Sequence, residues 1–512
     1  MSRPTSLNAA RRTTDLAHLE QHPEVDVLVV GGGVTGAGVA LDAASRGLST
    51  VLAEREDLAF GTSRWSSKLV HGGLRYLAKG KIGIAYQSAR ERDVLMRVTA
   101  PHLVRPLPMV IPIHRDTGLA RILGIRAGVG AGDLLRLLAG TPSSILRGPR
   151  LLSAHQTLRL LPTVEPQGLL AGVLSFDGQL VDDARLVLAI ARTAAGEGAR
   201  IITRCSVEGV TSDGATLRDE TDGRLLPIRA RAVVNATGVH ADALDPRVRL
   251  SPSRGTHLVL DGAVLGHPRA ALTVPLPGSV SRFVFALPQP DGRIFAGLTD
   301  EPVAGPAPRV PEVPEEDVDF LLTQFNRALA TELTRADVLG SFAGLRPLLH
   351  GVGSSADLSR EHTVSVAPNG SVTVAGGKLT TYRAMAEEVV DTVVATHRIP
   401  AEPCRTREIP LVGAASQEEL DALEAPRHLV ARYGTEALDV LAEAGGDPRL
   451  LTPVACGITP AELRFGVRHE GALDKSDLLE RRTRIALVDS DRERAEAAAE
   501  AALATVGIPE PK

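Results

Sequence analysis

Gly31-x-Gly33-x-x-Gly36 follows directly on the Val-rich run Val25-Asp-Val-Leu-Val-Val30 and opens a stretch of small residues, Ala37 to Arg46. The chemistry this order serves is the holding of a pyrophosphate. Gly31 permits a tight turn, Gly33 lets the backbone approach the phosphates, and Gly36 lets a helix pack closely on a strand. The helix start then offers free N–H groups and the positive end of its dipole to an anion. Glu54 closes a second apolar run, Ser49-Thr-Val-Leu-Ala53, where a carboxylate can accept hydrogen bonds from a ribose. A glycine turn with no ligand is the bland alternative, since such turns are common. Strand, helix, second strand and acid in this order favour the dinucleotide, but the loop does not separate FAD from NAD.

Three later segments favour FAD. Val233-Val-Asn-Ala-Thr-Gly238 reads as a strand ending in a small-residue turn. Val372-Thr-Val-Ala-Gly-Gly-Lys378-Leu-Thr-Thr-Tyr-Arg383 repeats the strand, glycine, helix order, and its helix start can cover the flavin edge where negative charge builds on reduction. The third is Gly61-Thr-Ser-Arg-Trp-Ser-Ser-Lys68-Leu-Val-His-Gly-Gly73-Leu-Arg75-Tyr76. With Val181-Asp-Asp-Ala-Arg-Leu186, Arg254-Gly-Thr-His257, Gly297-Leu-Thr-Asp300 and Ala343-Gly-Leu-Arg-Pro347, these motifs resemble the FAD-dependent glycerol-3-phosphate dehydrogenases, within the glycine-oxidase-like flavoproteins. The resemblance covers residues 24–390 well. Beyond that it is loose, chiefly around Asp477 to Arg484.

The resemblance implies a site. Its cofactor side takes in Gly31, Gly33, Gly36, Glu54, Ser66, Ser67, Gly238, Gly376, Gly377, Lys378, Leu379 and Thr380. Its substrate side takes in Arg75, Tyr76, Arg346, Arg360 and Lys378, of which the arginines and the lysine are cations suited to a dianionic phosphate. Several cations buried together imply an anionic ligand, although any one arginine read alone can equally be a surface salt bridge. His257 is expected to be the base that takes the hydroxyl proton while a hydride leaves the alcohol carbon for FAD, with Arg346 stabilising the developing alkoxide. A lone histidine on a strand is as readily structural. Trp65 stands where many relatives carry a small residue, and either shapes the flavin wall or packs.

The family also implies a partner for the electrons. Its oxidase branch, which uses oxygen, carries an extra insertion in the substrate domain; none is evident here, which favours a quinone or respiratory acceptor. Arg121-Ile-Leu-Gly-Ile-Arg126 through Asp133-Leu-Leu-Arg-Leu-Leu138 resembles the family region that meets the membrane near the quinone, but a helix packed on the core is the reading slightly preferred. The expected location is cytoplasmic, peripheral on the inner face of the cell membrane, with a homodimer left open. An amino-acid or amine oxidase on the same fold, and a flavin-binding regulator without catalysis, are the competing functions.

The elements that must position these residues form an α/β chain: a Rossmann-like FAD-binding domain, an antiparallel β-sheet substrate domain and a mostly helical C-terminal domain. The boundaries read as a flexible leader over 1–24, an oxidoreductase module over 25–400 and a helical domain over 401–512. Within the module, FAD-binding parts fall at about 25–115, 180–250 and 335–400, and substrate parts at about 116–179 and 251–334. Helices are expected over 184–195 and 316–334 and antiparallel strands between 250 and 300, with Pro302 to Pro314 as a loop. The 512 residues exceed one hydrophobic core. A net charge of −4 argues against nucleic acid as a partner. Cys205, Cys404 and Cys456 are far apart, which suits a reducing compartment rather than a disulfide framework or a zinc site.

Overall fold

The Val-rich run preceding the glycine loop becomes Glu24–Val30, the centre of a parallel arrangement. The computed structural model describes residues 3–73, 81–278, 282–350 and 361–506. In this sheet of eight described strands, Glu24–Val30 lies between Thr50–Ala53 and Leu225–Asn235. Arg200–Ile202 extends one side, Val372–Gly376 and the antiparallel His362–Val366 the other, and a meander, Cys205–Thr211 and Gly214–Asp219, pairs with Leu225–Asn235. Both faces are covered where the strand enters the core, so it is continuously apolar from Val27 to Val30 rather than alternating. Val27 and Val29 pack under the helices Val34–Ser45, Asp183–Gly196 and Tyr382–His397, while Leu28 and Val30 join a second apolar layer with Leu217 and Ile228.

That second layer corrects the expected leader. Ala9–Gln21 is a helix, capped by the Asn8 side chain accepting from the Arg11 N–H at 2.9 Å. Leu16 and Leu19, one turn apart, are buried in the layer, and Arg12 pairs with Asp219 at 2.6 Å. The segment is polar on average because only one face of it meets the core.

The second sheet has ten described strands. Its order is Glu301–Pro302, Ser253–Asp261, Arg293–Gly297, Phe283–Pro288, Ala271–Pro275, Val104–His114, Leu169–Leu180 and Leu69–Val70, with Val338–Arg346 and Arg150–Ser153 attached to Ser253–Asp261 and Leu169–Leu180. The pairing is antiparallel as expected between 250 and 300, save that Ala271–Pro275 runs parallel to Val104–His114. Two segments read as cofactor-domain, Val104–His114 and Val338–Arg346, therefore lie in this sheet instead. The helix expected over 316–334 is Glu315–Asn326; it stops where the Asn326 amide bonds both the N–H and the C=O of Leu333, each at 2.8 Å, closing a loop.

From Gln417 to Ala504 the chain is largely helical, with cores around Leu463 and Leu478 and around Tyr433 and Phe465. Buried ion pairs fasten it to the rest. Arg185 meets Glu470 at 2.5 Å, Arg192 meets Glu436 at 2.7 Å, and Arg482 meets Asp57 at 2.5 Å.

Candidate active site and cofactor cleft

A cavity of about 1260 Å³ runs between the two sheets. That exceeds the ordinary span of small-ligand pockets, roughly 300–1,000 Å³, and suits a dinucleotide plus a small substrate. Gly31 and Gly33 line one end. Gly31 has φ +109°, and a Cβ there would lie 2.7 Å from the Ala236 carbonyl oxygen, so only glycine fits the turn. A Cβ on Gly36 would overlap the Gly31 carbonyl oxygen, which is why the helix can pack so near its strand. The first turn of that helix has no side-chain cap from Gly33; instead the Val34 N–H donates to Ser63 Oγ at 2.9 Å.

Glu54 sits in the same cavity wall, where its carboxylate accepts from the Gly32 N–H at 2.6 Å and the Glu56 N–H at 2.8 Å. Burial pushes its pKa up, against those two hydrogen bonds. Each oxygen keeps a lone pair for a ribose hydroxyl. Gly238, Gly376, Gly377, Lys378, Leu379 and Thr380 line the cavity as well. Gly376 and Gly377 both have φ +80°, and side chains there would strike the Glu361 backbone and Met385. The pyrophosphate turn, the acid and this second glycine turn therefore fit FAD along one continuous cleft.

Ser66 and Ser67 reach the cleft through an ion pair that the sequence did not reveal. Lys68 is buried, with Nζ 2.9 Å from Asp183 Oδ2 and 2.7 Å from the Arg64 carbonyl oxygen. The Ser66 N–H donates to the same carboxylate oxygen at 2.9 Å. Two motifs far apart in sequence, Ser-Ser-Lys-Leu-Val and Val-Asp-Asp-Ala-Arg, are thus two halves of one contact. Burial lowers the Lys68 pKa although Asp183 opposes it.

His257, Arg346 and Lys378 come from three separate segments and line this one cavity with Trp65, Ser67 and Phe285. The register pairs His257 with Gly297 on one side and Phe342 on the other. Its ring stacks on Phe342, centroids 4.8 Å apart, and its Nε2 lies 3.0 Å from Ser67 Oγ. Burial, then the charges of Lys68 and Arg346, hold the imidazole well below its ordinary pKa, so it is neutral. Arg346 donates to the Thr299 carbonyl at 3.0 Å and meets Asp300 at 3.3 Å; Ser253 Oγ donates to that same Asp300 carboxylate at 2.5 Å. Here Gly-Leu-Thr-Asp and Gly-Leu-Arg-Pro meet. Lys378 Nζ donates to Ser88 Oγ at 3.0 Å. Arg75, Tyr76 and Arg360 lie outside the described residues.

Trp65 both lines the cavity and packs, stacking on Phe342 with centroids 5.7 Å apart. Asp177 is a lining residue that sequence reasoning missed: it accepts from the Gly72 N–H at 3.0 Å and from Arg92 at 2.6 Å. Its sequence signal was the one charged residue in a mainly apolar strand, Leu169–Leu180.

The helix Leu119–Leu138 packs on the core along one face, through Ile122, Ile125, Val129 and the buried Leu135, and leaves another face open. Its Ile125 and Val129 line the cavity, but Leu119, Leu123, Leu134, Leu137 and Leu138 are 56–73% exposed. At about 100° per residue, Leu119, Leu123, Leu134 and Leu137 share one face. Among the described residues no helix is long and apolar enough to cross a membrane.

Comparison with known proteins bears on the family, the fold and the cofactor. Residues 26–392 match the family model described as FAD dependent oxidoreductase, and residues 404–507 match the C-terminal domain of alpha-glycerophosphate oxidase. The chain is 51% identical over 509 residues to glycerol-3-phosphate dehydrogenase 1 of Mycobacterium tuberculosis (strain ATCC 25618 / H37Rv), covering 98% of each chain. It is 39% identical to the glycerol-3-phosphate dehydrogenase of Mycobacterium leprae, over 91% of this chain and 81% of that one. Among solved structures it is similar to the glycerol-3-phosphate dehydrogenase from Bacillus halodurans complexed with FAD, at 29% identity and a TM-score of 0.77, covering 98% of this chain and 95% of that one.

Proposed function

We propose, from the premise that this chain belongs to the FAD-dependent glycerol-3-phosphate dehydrogenase family, that it oxidises sn-glycerol 3-phosphate to dihydroxyacetone phosphate and passes the electrons to a quinone. The observation that carries the reading is the convergence of His257, Arg346 and Lys378 on the cavity that begins at the glycine loop. FAD, when bound, supplies the acceptor for the hydride.

The rest is the work of side chains. Lys378 offers a compact charge and Arg346 a planar fork, a pair suited to a phosphate and a developing alkoxide. Arg346 is held in place by Asp300 and by the Thr299 carbonyl, so its donors need no reorganisation as charge develops. Neutral His257 is in the protonation state a base requires. Arg75, Tyr76 and Arg360 complete the substrate side by resemblance. Trp65, Phe283 and Phe285 give the cavity apolar walls that strengthen charge interactions within it.

A quinone is the acceptor favoured because the helix Leu119–Leu138 joins the cavity wall to an exposed row of leucines. That row suits shallow contact with lipid headgroups and acyl chains, where a quinone dissolves. Anaerobic addition of glycerol 3-phosphate should bleach the flavin absorption, and a soluble quinone should restore it faster than oxygen does. A flavin that stays oxidised with this substrate, or bleaches with amino acids instead, would refute the assignment; faster recovery with oxygen would make it an oxidase.

A further inference from the structure

Among the described residues the Nδ1 atom of His257 is buried with no hydrogen-bond partner, and the residue is 1% exposed. Its polar contact is Nε2 to Ser67 Oγ, at 3.0 Å. Nδ1 is enclosed by protein, and the Phe342 ring stacks on the face of the imidazole. Any proton that enters the imidazole must therefore enter at Nε2, and the atom already at Nε2 is the serine oxygen. Ser67 in turn lines the cavity, and the Lys68–Asp183 pair fixes the turn that carries it.

Resting on the reading of His257 as the base, we propose that Ser67 is a further catalytic residue, a hydroxyl relay between the substrate alcohol and the histidine. The Ser67 O–H donates to the Nε2 lone pair, leaving the serine oxygen free to accept from the substrate hydroxyl. In the step, the substrate O–H bond breaks and its proton joins Ser67 Oγ, while the serine's own proton moves to Nε2. The C–H bond at the same carbon breaks with its electron pair, which leaves as hydride to FAD. The alcohol is oxidised to a ketone, FAD, when bound, would supply the acceptor for both electrons, and the imidazole, already protonated at Nδ1, holds the added proton at Nε2 as imidazolium until it returns through Ser67 to the cavity. The arrangement requires the tautomer with hydrogen on Nδ1.

The test compares Ser67→Ala, Ser67→Thr and His257→Gln, each with its FAD content measured from the flavin absorption. Ser67→Ala should slow anaerobic flavin bleaching by glycerol 3-phosphate at least tenfold, within the reach of one proton-transfer group. Its substrate dissociation constant should change less than about threefold, and Ser67→Thr, which keeps the hydroxyl, should recover most of the rate. In protein carrying 15N-histidine, the His257 signals, assigned by their absence in His257→Gln, should give an unprotonated Nε2 that shifts in Ser67→Ala. Normal bleaching by Ser67→Ala with slow bleaching by His257→Gln would overturn the relay and leave the histidine as a direct base. Normal bleaching by both would remove His257 as the base as well. A protonated Nε2 in the resting protein, or a Ser67→Ala defect traced to lost FAD, would equally overturn the relay.

Discussion

Replacing Lys68 by methionine should destabilise the cofactor domain by about 3 kcal/mol, the lower end of the range for breaking a buried ion pair from one side. Lys68 and Asp183 are each 1% exposed, and their contact is 2.9 Å. The variant leaves a carboxylate in the interior without its cation. That carboxylate keeps the Ser66 N–H at 2.9 Å, which is why the lower figure applies. Methionine fills most of the lysine's volume beside Phe342, whose ring centre lies 5.0 Å from Nζ, so little apolar packing is lost. Three kcal/mol is about two powers of ten in the unfolding equilibrium. Urea titration of the FAD-loaded protein, followed by flavin fluorescence, reads this domain directly. Removing the stranded charge as well, in Lys68→Met with Asp183→Asn, should recover at least about 1 kcal/mol, because neighbouring groups are not additive. A single variant within about 0.5 kcal/mol of the parent, the usual size of a surface change, would refute the claim that this pair braces the serine turn.

Arg346→Ala should cost about 2–5 kcal/mol in kcat/KM for glycerol 3-phosphate, the scale for truncating a buried charged partner; a loss below about 0.5 kcal/mol would remove Arg346 from the site. His257 is held neutral below its ordinary pKa, so its contribution has a defined sign in pH. As pH falls below about 6.5 the unfolded imidazole takes up a proton that the folded one refuses, and stability drops by up to about 1.4 kcal/mol per pH unit. His257→Gln should lack that loss, and denaturation curves that stay parallel for the two proteins from pH 7 to 5 would contradict the burial argument. On the leucine row, Leu123 and Leu134 are each 56% exposed. If half of each side chain enters lipid, Leu123→Glu with Leu134→Glu should weaken binding to phospholipid vesicles by about 2 kcal/mol, roughly thirtyfold. Unchanged co-sedimentation with vesicles would leave this helix no part in membrane contact.

How much was legible depended on the range of the interaction. Glu24–Val30, its glycine turn and Glu54 form a local unit whose periodicity and turn chemistry are written in about thirty consecutive residues, and the observed elements match within a few positions. Gly376 and Gly377 were readable for the same reason, because a positive φ selects glycine wherever it occurs. Sheet membership was not readable. Val104–His114 and Val338–Arg346 carry ordinary strand patterns, and nothing in a strand states which sheet it will join. The helix Ala9–Gln21 was hidden because only Leu16 and Leu19 mark its buried face, although Asn8 as its cap was a usable signal. Asp300 beside Arg346 and Asp183 beside Lys68 are long-range pairs, and the spacing of charges along a chain does not reveal them.

Among the described residues the helical C-terminal domain contributes none to the cavity lining, yet its charges bear on the shape of the site. Asp57, just after Glu54, is gripped by Arg481 at 2.7 Å and by Arg482 at 2.5 Å. Burial alone would raise the Asp57 pKa, but Arg482 and Arg481 outweigh it and hold the carboxylate ionised. Seven residues on, Arg64 meets Glu480 of the same short helical segment, Asp477–Arg482, at 2.5 Å. Phe60, Gly61, Thr62 and Ser63, all cavity-lining, lie between these two anchors. Arg185 and Arg192 tie the domain in turn to the helix Asp183–Gly196, whose first residue is the partner of Lys68. An ionised group withdrawn from water is costly once its partner is removed, so each of these contacts ties two backbone positions to one another. The loop that runs from Glu54 to the serine turn is therefore held at Asp57 and at Arg64 by charges of the C-terminal domain, and its geometry follows from how that domain docks.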